Sequence, residues 1–88
     1  MPHKKQEEIY RVAYDSLCQY LDANQLRHTS ERLTILNAIC QLQRFSVDDL
    51  RYALAGVNIS RATVYNTLDV MENANVVRRL EKEYGVRA

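Results

Sequence analysis

The side chains best suited to chemistry in this 88-residue chain lie between Ser60 and Asn66. Arg61 offers a long cation that reaches a phosphate or a purine edge, and Tyr65 offers a flat ring that packs on a methyl group without a hydrogen-bond partner. On a helix, residues four apart share one side. Thr63 and Ser60 add hydroxyls for phosphate oxygens, although Ser60 serves equally well as a helix cap. Asn66 presents an amide that pairs with adenine N6 and N7 but brings no charge. Each has a plainer reading, a solvated arginine for Arg61 and a half-buried helix tyrosine for Tyr65. Catalysis finds no comparable grouping: there is no nucleophile with a matched base, no glycine-rich phosphate loop and no carboxylate pair on a defined scaffold, so an enzyme is not expected. Cys18 and Cys40 stand far apart without a Cys-x-x-Cys spacing and read as buried free thiols. Their alternative is a thiol redox sensor, which requires an exposed, acidic thiol.

These residues must be held by helices. Two glycines, one proline and no tryptophan, with many Leu, Ala, Arg, Glu and Gln, disfavour a sheet-rich fold. Ile9, Val12, Ala13, Leu17, Tyr20 and Leu21 recur at three- and four-residue steps and predict an amphipathic helix over roughly Gln6 to Ala23. After Asn24 to His28, Thr29 and Ser30 offer hydroxyl caps and Glu31 favours the positive end of a second helix, which runs to about Leu42 and buries Leu36, Ile39 and Cys40. Ser46 before Val47-Asp48-Asp49-Leu50 approaches a capping box and starts a short third helix ending near Gly56. Ser60 caps a fourth, with Val64, Leu68 and Met71 on its buried face and Arg61 and Tyr65 opposite.

From Ala74 the composition turns β-branched, through Asn75-Val76-Val77-Arg78-Arg79-Leu80, then turn-like at Glu81 to Gly85. A hairpin is expected, its returning strand starting at Val86-Arg87-Ala88 and thus truncated. The fold class that follows is mainly α, a winged helix-turn-helix of about four helices and a truncated β-hairpin wing. One domain is expected over residues 1–88: an N-terminal helix (1–24), a helix-turn-helix core (25–74) and the wing (75–88), too short for a second core of ordinary size. No apolar run approaches a membrane span and no apolar signal core follows the N-terminus, so a cytoplasmic location without membrane contact is expected. The net charge of +1, from 12 basic and 11 acidic residues, does not by itself suggest nucleic acid. Phosphate contact then requires the basic groups to gather on one face.

Leu26-Arg27-His28-Thr29, then Arg32, Ile35 and Leu36, then Asp49-Leu50, and finally Ile59-Ser60-Arg61-Ala62-Thr63-Val64-Tyr65-Asn66-Thr67-Leu68 resemble the ferric uptake regulator family over about Leu21 to Gly85. The resemblance implies a sequence-specific DNA-binding domain of a metal-responsive transcription repressor. It implies that the helix bearing Ala-Thr-Val-Tyr, residues 61–73, docks in the major groove of an A/T-rich inverted repeat in double-stranded DNA. Carried over by position, Tyr65 meets thymine methyls and Arg27 reaches the minor groove, where an A·T tract concentrates negative potential. The implied DNA-contacting set is Arg27, Thr29, Arg32, Ser60, Arg61, Thr63, Tyr65 and Asn66, with Arg78 and Arg79 on the wing beside Lys82. Glu81 and Glu83 oppose the wing's positive charge, and its plainer reading is a solvated hairpin. Asn66 departs from the family, many of whose members carry arginine there, which leaves base preference open. A winged helix used only to bind protein is a second class, distinguished by the absence of salt-dependent DNA affinity.

Full-length relatives are homodimers that bind zinc and a regulatory divalent metal such as iron, through a C-terminal dimerisation and metal domain for which this chain has no room. Arg44-Phe45 occupies the place where relatives often offer a histidine, and a guanidinium is a poor ligand. Glu83 corresponds to a wing carboxylate of the sensing site, but one carboxylate builds no site, and His3 and His28 are far apart in sequence. No metal and no other cofactor is expected on these residues.

Overall fold

The computed structural model describes the backbone of residues 2–87 and the side chains of residues 7–87. It is mainly helical, in the order α1 (Pro2–Ala23), α2 (Ser30–Leu42), β1 (Arg44–Phe45), α3 (Val47–Ala53), α4 (Arg61–Asn73), β2 (Val77–Arg79) and β3 (Tyr84–Val86). Four helices and a small three-stranded antiparallel sheet, built from the C-terminal hairpin and the short β1 between α2 and α3, form a winged helix.

Ile9, Ala13, Leu17 and Leu21, each four residues after the last, form the buried stripe by which α1 packs on α2. Val12, which the periodicity assigned to that stripe, is instead 51% exposed. Four-residue steps drift slowly around a helix and already define the contact line, so a residue one position off it faces water. The helix also starts at Pro2, earlier than Gln6. Proline is tolerated in the first turn because its missing N–H would have no intrahelical partner there.

Three hydroxyl caps set where the later helices begin. Thr29 Oγ1 accepts from Arg32 N at 3.2 Å, Ser46 Oγ from Asp49 N at 3.0 Å, and Ser60 Oγ from Thr63 N at 3.1 Å. At α3 the Asp49 carboxylate accepts from Ser46 N in return, completing a capping box. Beneath the caps, Ile35, Leu36, Ile39 and Cys40 of α2, Leu50 of α3, and Val64, Thr67, Leu68 and Met71 of α4 close one core. Burial of each large aliphatic side chain there contributes roughly 1.5–3 kcal/mol against exposure.

The sheet is ordered β1-β3-β2, with β3 central and both pairings antiparallel. The returning strand starts at Tyr84, two residues before the expected Val86, and pairs along its whole length with β2. The hairpin therefore closes within the described residues; Ala88, assigned to that strand, lies outside them. Strand β1 has no counterpart in the sequence reading. Its Phe45, fully buried, stacks on Tyr84 with ring centroids 5.7 Å apart and ties the wing to the segment entering α3.

Candidate nucleic-acid interface

The N-terminal turns of α2 and α4 face a common cleft of about 420 Å³ lined by Thr29, Glu31, Arg32, Ala62, Thr63, Asn66 and Thr67. Four of the residues singled out above, Thr29, Arg32, Thr63 and Asn66, thus come together although they are spread over two helices. Both caps sit at this end of their helices. Each uses a hydroxyl lone pair on a backbone N–H, which leaves the hydroxyl proton free to donate. Ser60 and Thr63 share one such proton at 2.9 Å between their oxygens, so the pair offers one further donor outward.

Arg32 is half-buried and its Nη1 donates to the carbonyl oxygen of Arg27. That bond fixes the backbone of the α1–α2 connection directly ahead of the second helix and leaves the Arg27 side chain exposed. On α4, Arg61, Ala62, Tyr65, Asn66 and Asp69 are exposed while Val64, Thr67, Leu68 and Met71 face the core. Tyr65 keeps 47% of its surface in solvent, a large apolar ring without cover. Among the described residues, neither Arg61 nor Asn66 is engaged in an ion pair or a side-chain hydrogen bond.

The two wing arginines do not join this group. Arg78 is exposed on β2, opposite Gly85. Arg79 lies over the Tyr84 ring, 5.4 Å from its centroid, and its Nη2 reaches Glu72 Oε1 of α4 at 3.4 Å. Its charge is partly spent inside the molecule. Two acidic residues also belong in the description: Glu31, read above as a helix-end charge, lines the cleft, and Asp69, which pattern reading passed over, lies one turn beyond Tyr65 on the exposed side of α4. Asp69 was legible, since it is four residues after Tyr65 and off the buried stripe.

A model of the ferric uptake regulator family matches residues 23–87. The chain belongs to that family. No curated protein matches the chain. The family is one of metal-dependent transcription regulators, and the fold is the winged helix that the sequence resemblance implied. Among the described residues no helix is long and apolar enough to cross a membrane.

Membership brings the question of metal to the wing. Arg44 Nε donates to Glu83 Oε1 at 2.8 Å, so the wing carboxylate already has a cation beside it. A guanidinium stays protonated and has no lone pair to give. The residues at this place do not fit a divalent cation, and among the described residues no group of three His, Cys, Asp or Glu side chains converges to hold one. The side chain of His3, weighed as a ligand above, lies outside those described.

Proposed function

We propose that residues 1–88 are the DNA-reading head of a ferric-uptake-regulator-like repressor, a single winged-helix unit made of an N-terminal helix (1–24), a helix-turn-helix core (25–74) and a wing (75–88). The observation that carries this reading is the convergence of two capped helix N-termini, with Thr29, Arg32, Thr63 and Asn66, on one cleft beside the uncovered Arg61 and Tyr65 of α4. Helix N-termini present unpaired backbone N–H groups and a positive dipole end, which favour phosphate oxygens. Phosphates bound at the N-termini of α2 and α4 orient α4 into the major groove of double-stranded DNA. There Tyr65 meets thymine methyls and Arg61 meets a phosphate or purine edge, and Asn66 reads an adjacent base. Arg27 extends toward a narrow A/T minor groove, and Arg78 touches the flanking backbone. Arg79, already beside Glu72 and Tyr84, contributes less.

Two heads held as a homodimer read the halves of an inverted repeat and block promoter access. A single head forgoes the effective-concentration gain of a linked partner, commonly on the order of 100-fold. The test is a titration of a fluorescent A/T-rich inverted-repeat duplex at several salt concentrations, beside a scrambled duplex and an Arg61→Ala, Tyr65→Ala double variant. Affinity that falls with salt, prefers the repeat and vanishes in the variant is expected. A folded protein that binds neither duplex at low salt argues instead for a protein-binding winged helix.

A further inference from the structure

At the C-terminal end of α1 and the loop that follows, three side chains far apart in type and separated in sequence form a continuous relay. Cys18 Sγ lies 3.8 Å from His28 Nδ1, and His28 Nε2 lies 2.7 Å from Asp22 Oδ1. The carboxylate accepts from Nε2, which keeps the proton on that nitrogen and leaves Nδ1 as the acceptor facing the thiol. Cys18 is half-buried, and His28 keeps 41% of its side-chain surface in solvent, so both sulfur and base are reachable from outside. Tyr14 stands one turn before Cys18. Its phenol is pushed up from the ordinary value by the neighbouring Cys18 side chain. An imidazole held by a carboxylate thus faces the sulfur, the arrangement by which an ordinary thiol becomes a nucleophile.

We propose that Cys18 is a thiol–disulfide exchange site for small-molecule disulfides, with His28 as the proton-transfer group and Asp22 as a positioning residue. His28 Nδ1 takes the thiol proton, and the sulfur attacks one sulfur of the disulfide. A new S–S bond forms to Cys18 as the old one breaks. The departing thiolate takes the proton from the His28 imidazolium and leaves as a thiol. The exchange is balanced, with Cys18 oxidised to a mixed disulfide and half of the small disulfide reduced. Cys40 is excluded from this chemistry, because it is buried to 3% exposure and burial pushes its thiol up to about 11.

The test incubates the folded protein with oxidised glutathione and follows the mixed disulfide at each cysteine by peptide mass spectrometry. Cys18 exchanges and Cys40 does not until the chain is unfolded, so Cys40 protection also reports the folding of every variant. An unassisted thiol is only a few per cent thiolate at neutral pH, which limits the gain from His28 to about 30-fold; His28→Gln is expected to slow Cys18 by about 10-fold. Asp22→Asn slows it several-fold and Asp22→Glu restores the rate, a pattern that a merely structural aspartate does not produce. Equal rates in the wild type and in His28→Gln, or a Cys18 no faster than the same thiol in the denatured chain, overturn the proposal. Should His28→Gln lose Cys40 protection, the Asp22→Asn and Asp22→Glu pair decides by the same criterion.

Discussion

Tyr65 keeps nearly half its surface in solvent on a helix whose other large apolar side chains, Leu68 and Met71, are buried, and nothing in the fold requires a ring there. Removing it should therefore leave stability nearly unchanged. On the proposed reading, Tyr65→Ala weakens binding to the inverted repeat by about 1–3 kcal/mol while random duplex loses much less. Competition titrations measure both, and equal losses would remove the base-contact role. The position of Tyr65 was legible, because its spacing sets it off the Val64-Leu68-Met71 stripe. The engagement of Arg79 was not. Its partners Glu72 and Tyr84 lie on two different elements, and only the fold of the hairpin against α4 brings them together. The same blindness hid the pairing of Arg44 with Glu83 and of Cys18 with His28, since a pattern along the chain reports faces and not neighbours across space.

Among the elements, the three hydroxyl caps were readable because a cap acts within four residues, and each was found at its expected position. Strand β1 was unreadable for the opposite reason: two residues carry no periodicity, and its pairing partner lies some forty positions away. Helix ends were also harder to place, because none of the residues that close α1, α2 and α4 with positive φ is a glycine; they are Gln25, Gln43 and Asn75. Asparagine is the most tolerant of these, whereas a glutamine with φ 67 and ψ −44 at the end of α2 is strained. Gln43 is held there from both sides, donating to Ile39 O at 2.7 Å and accepting from Val86 N at 2.8 Å. Gln43→Gly relieves the strain and keeps both backbone bonds. Against the larger entropy of an unfolded glycine, a net gain of about 0.5–1 kcal/mol is expected. In a thermal melt this is a rise of about 2–8 °C. Gln43→Ala, which keeps a Cβ, gains nothing, and a similar rise in both variants would show that φ is not the cause.

For the molecule as a whole, the buried thiol of Cys40 ties stability to alkaline pH. The folded chain holds that proton up to about 11, whereas the unfolded chain releases it around 9.0. Between those values the unfolded state binds fewer protons, so stability falls as pH rises through the window and is fully present below it. Denaturant titrations should show a smaller alkaline loss for Cys40→Ala than for the wild type, even though the variant is weaker at neutral pH through lost packing. Identical alkaline slopes would assign the loss to other groups, the tyrosines first.

Charge, by contrast, belongs to no single residue. A net charge of +1 gives no general attraction to a polyanion, so affinity has to come from the few cations that the fold leaves facing outward near the cleft. Arg27, Arg32 and Arg61 surround the N-termini of α2 and α4, and Arg78 adds a fourth on the wing, while Arg44 and Arg79 are already paired with Glu83 and Glu72. Each neutralised phosphate contributes about −0.9 to the slope of log K against log salt, so on the proposed reading these four arginines are expected to give a slope of roughly −3 to −4 per head, or about a 100-fold loss over a fourfold rise in salt. Glu31 and Asp69 lie within the same surface and hold the value toward the shallow end. Glu72→Gln releases Arg79 from its partner, which is expected to steepen the slope if the wing meets the backbone and to leave it unchanged if the wing stands clear of the duplex. A wild-type slope near zero would mean that these arginines do not meet phosphates at all, and the DNA-reading role would fall with them.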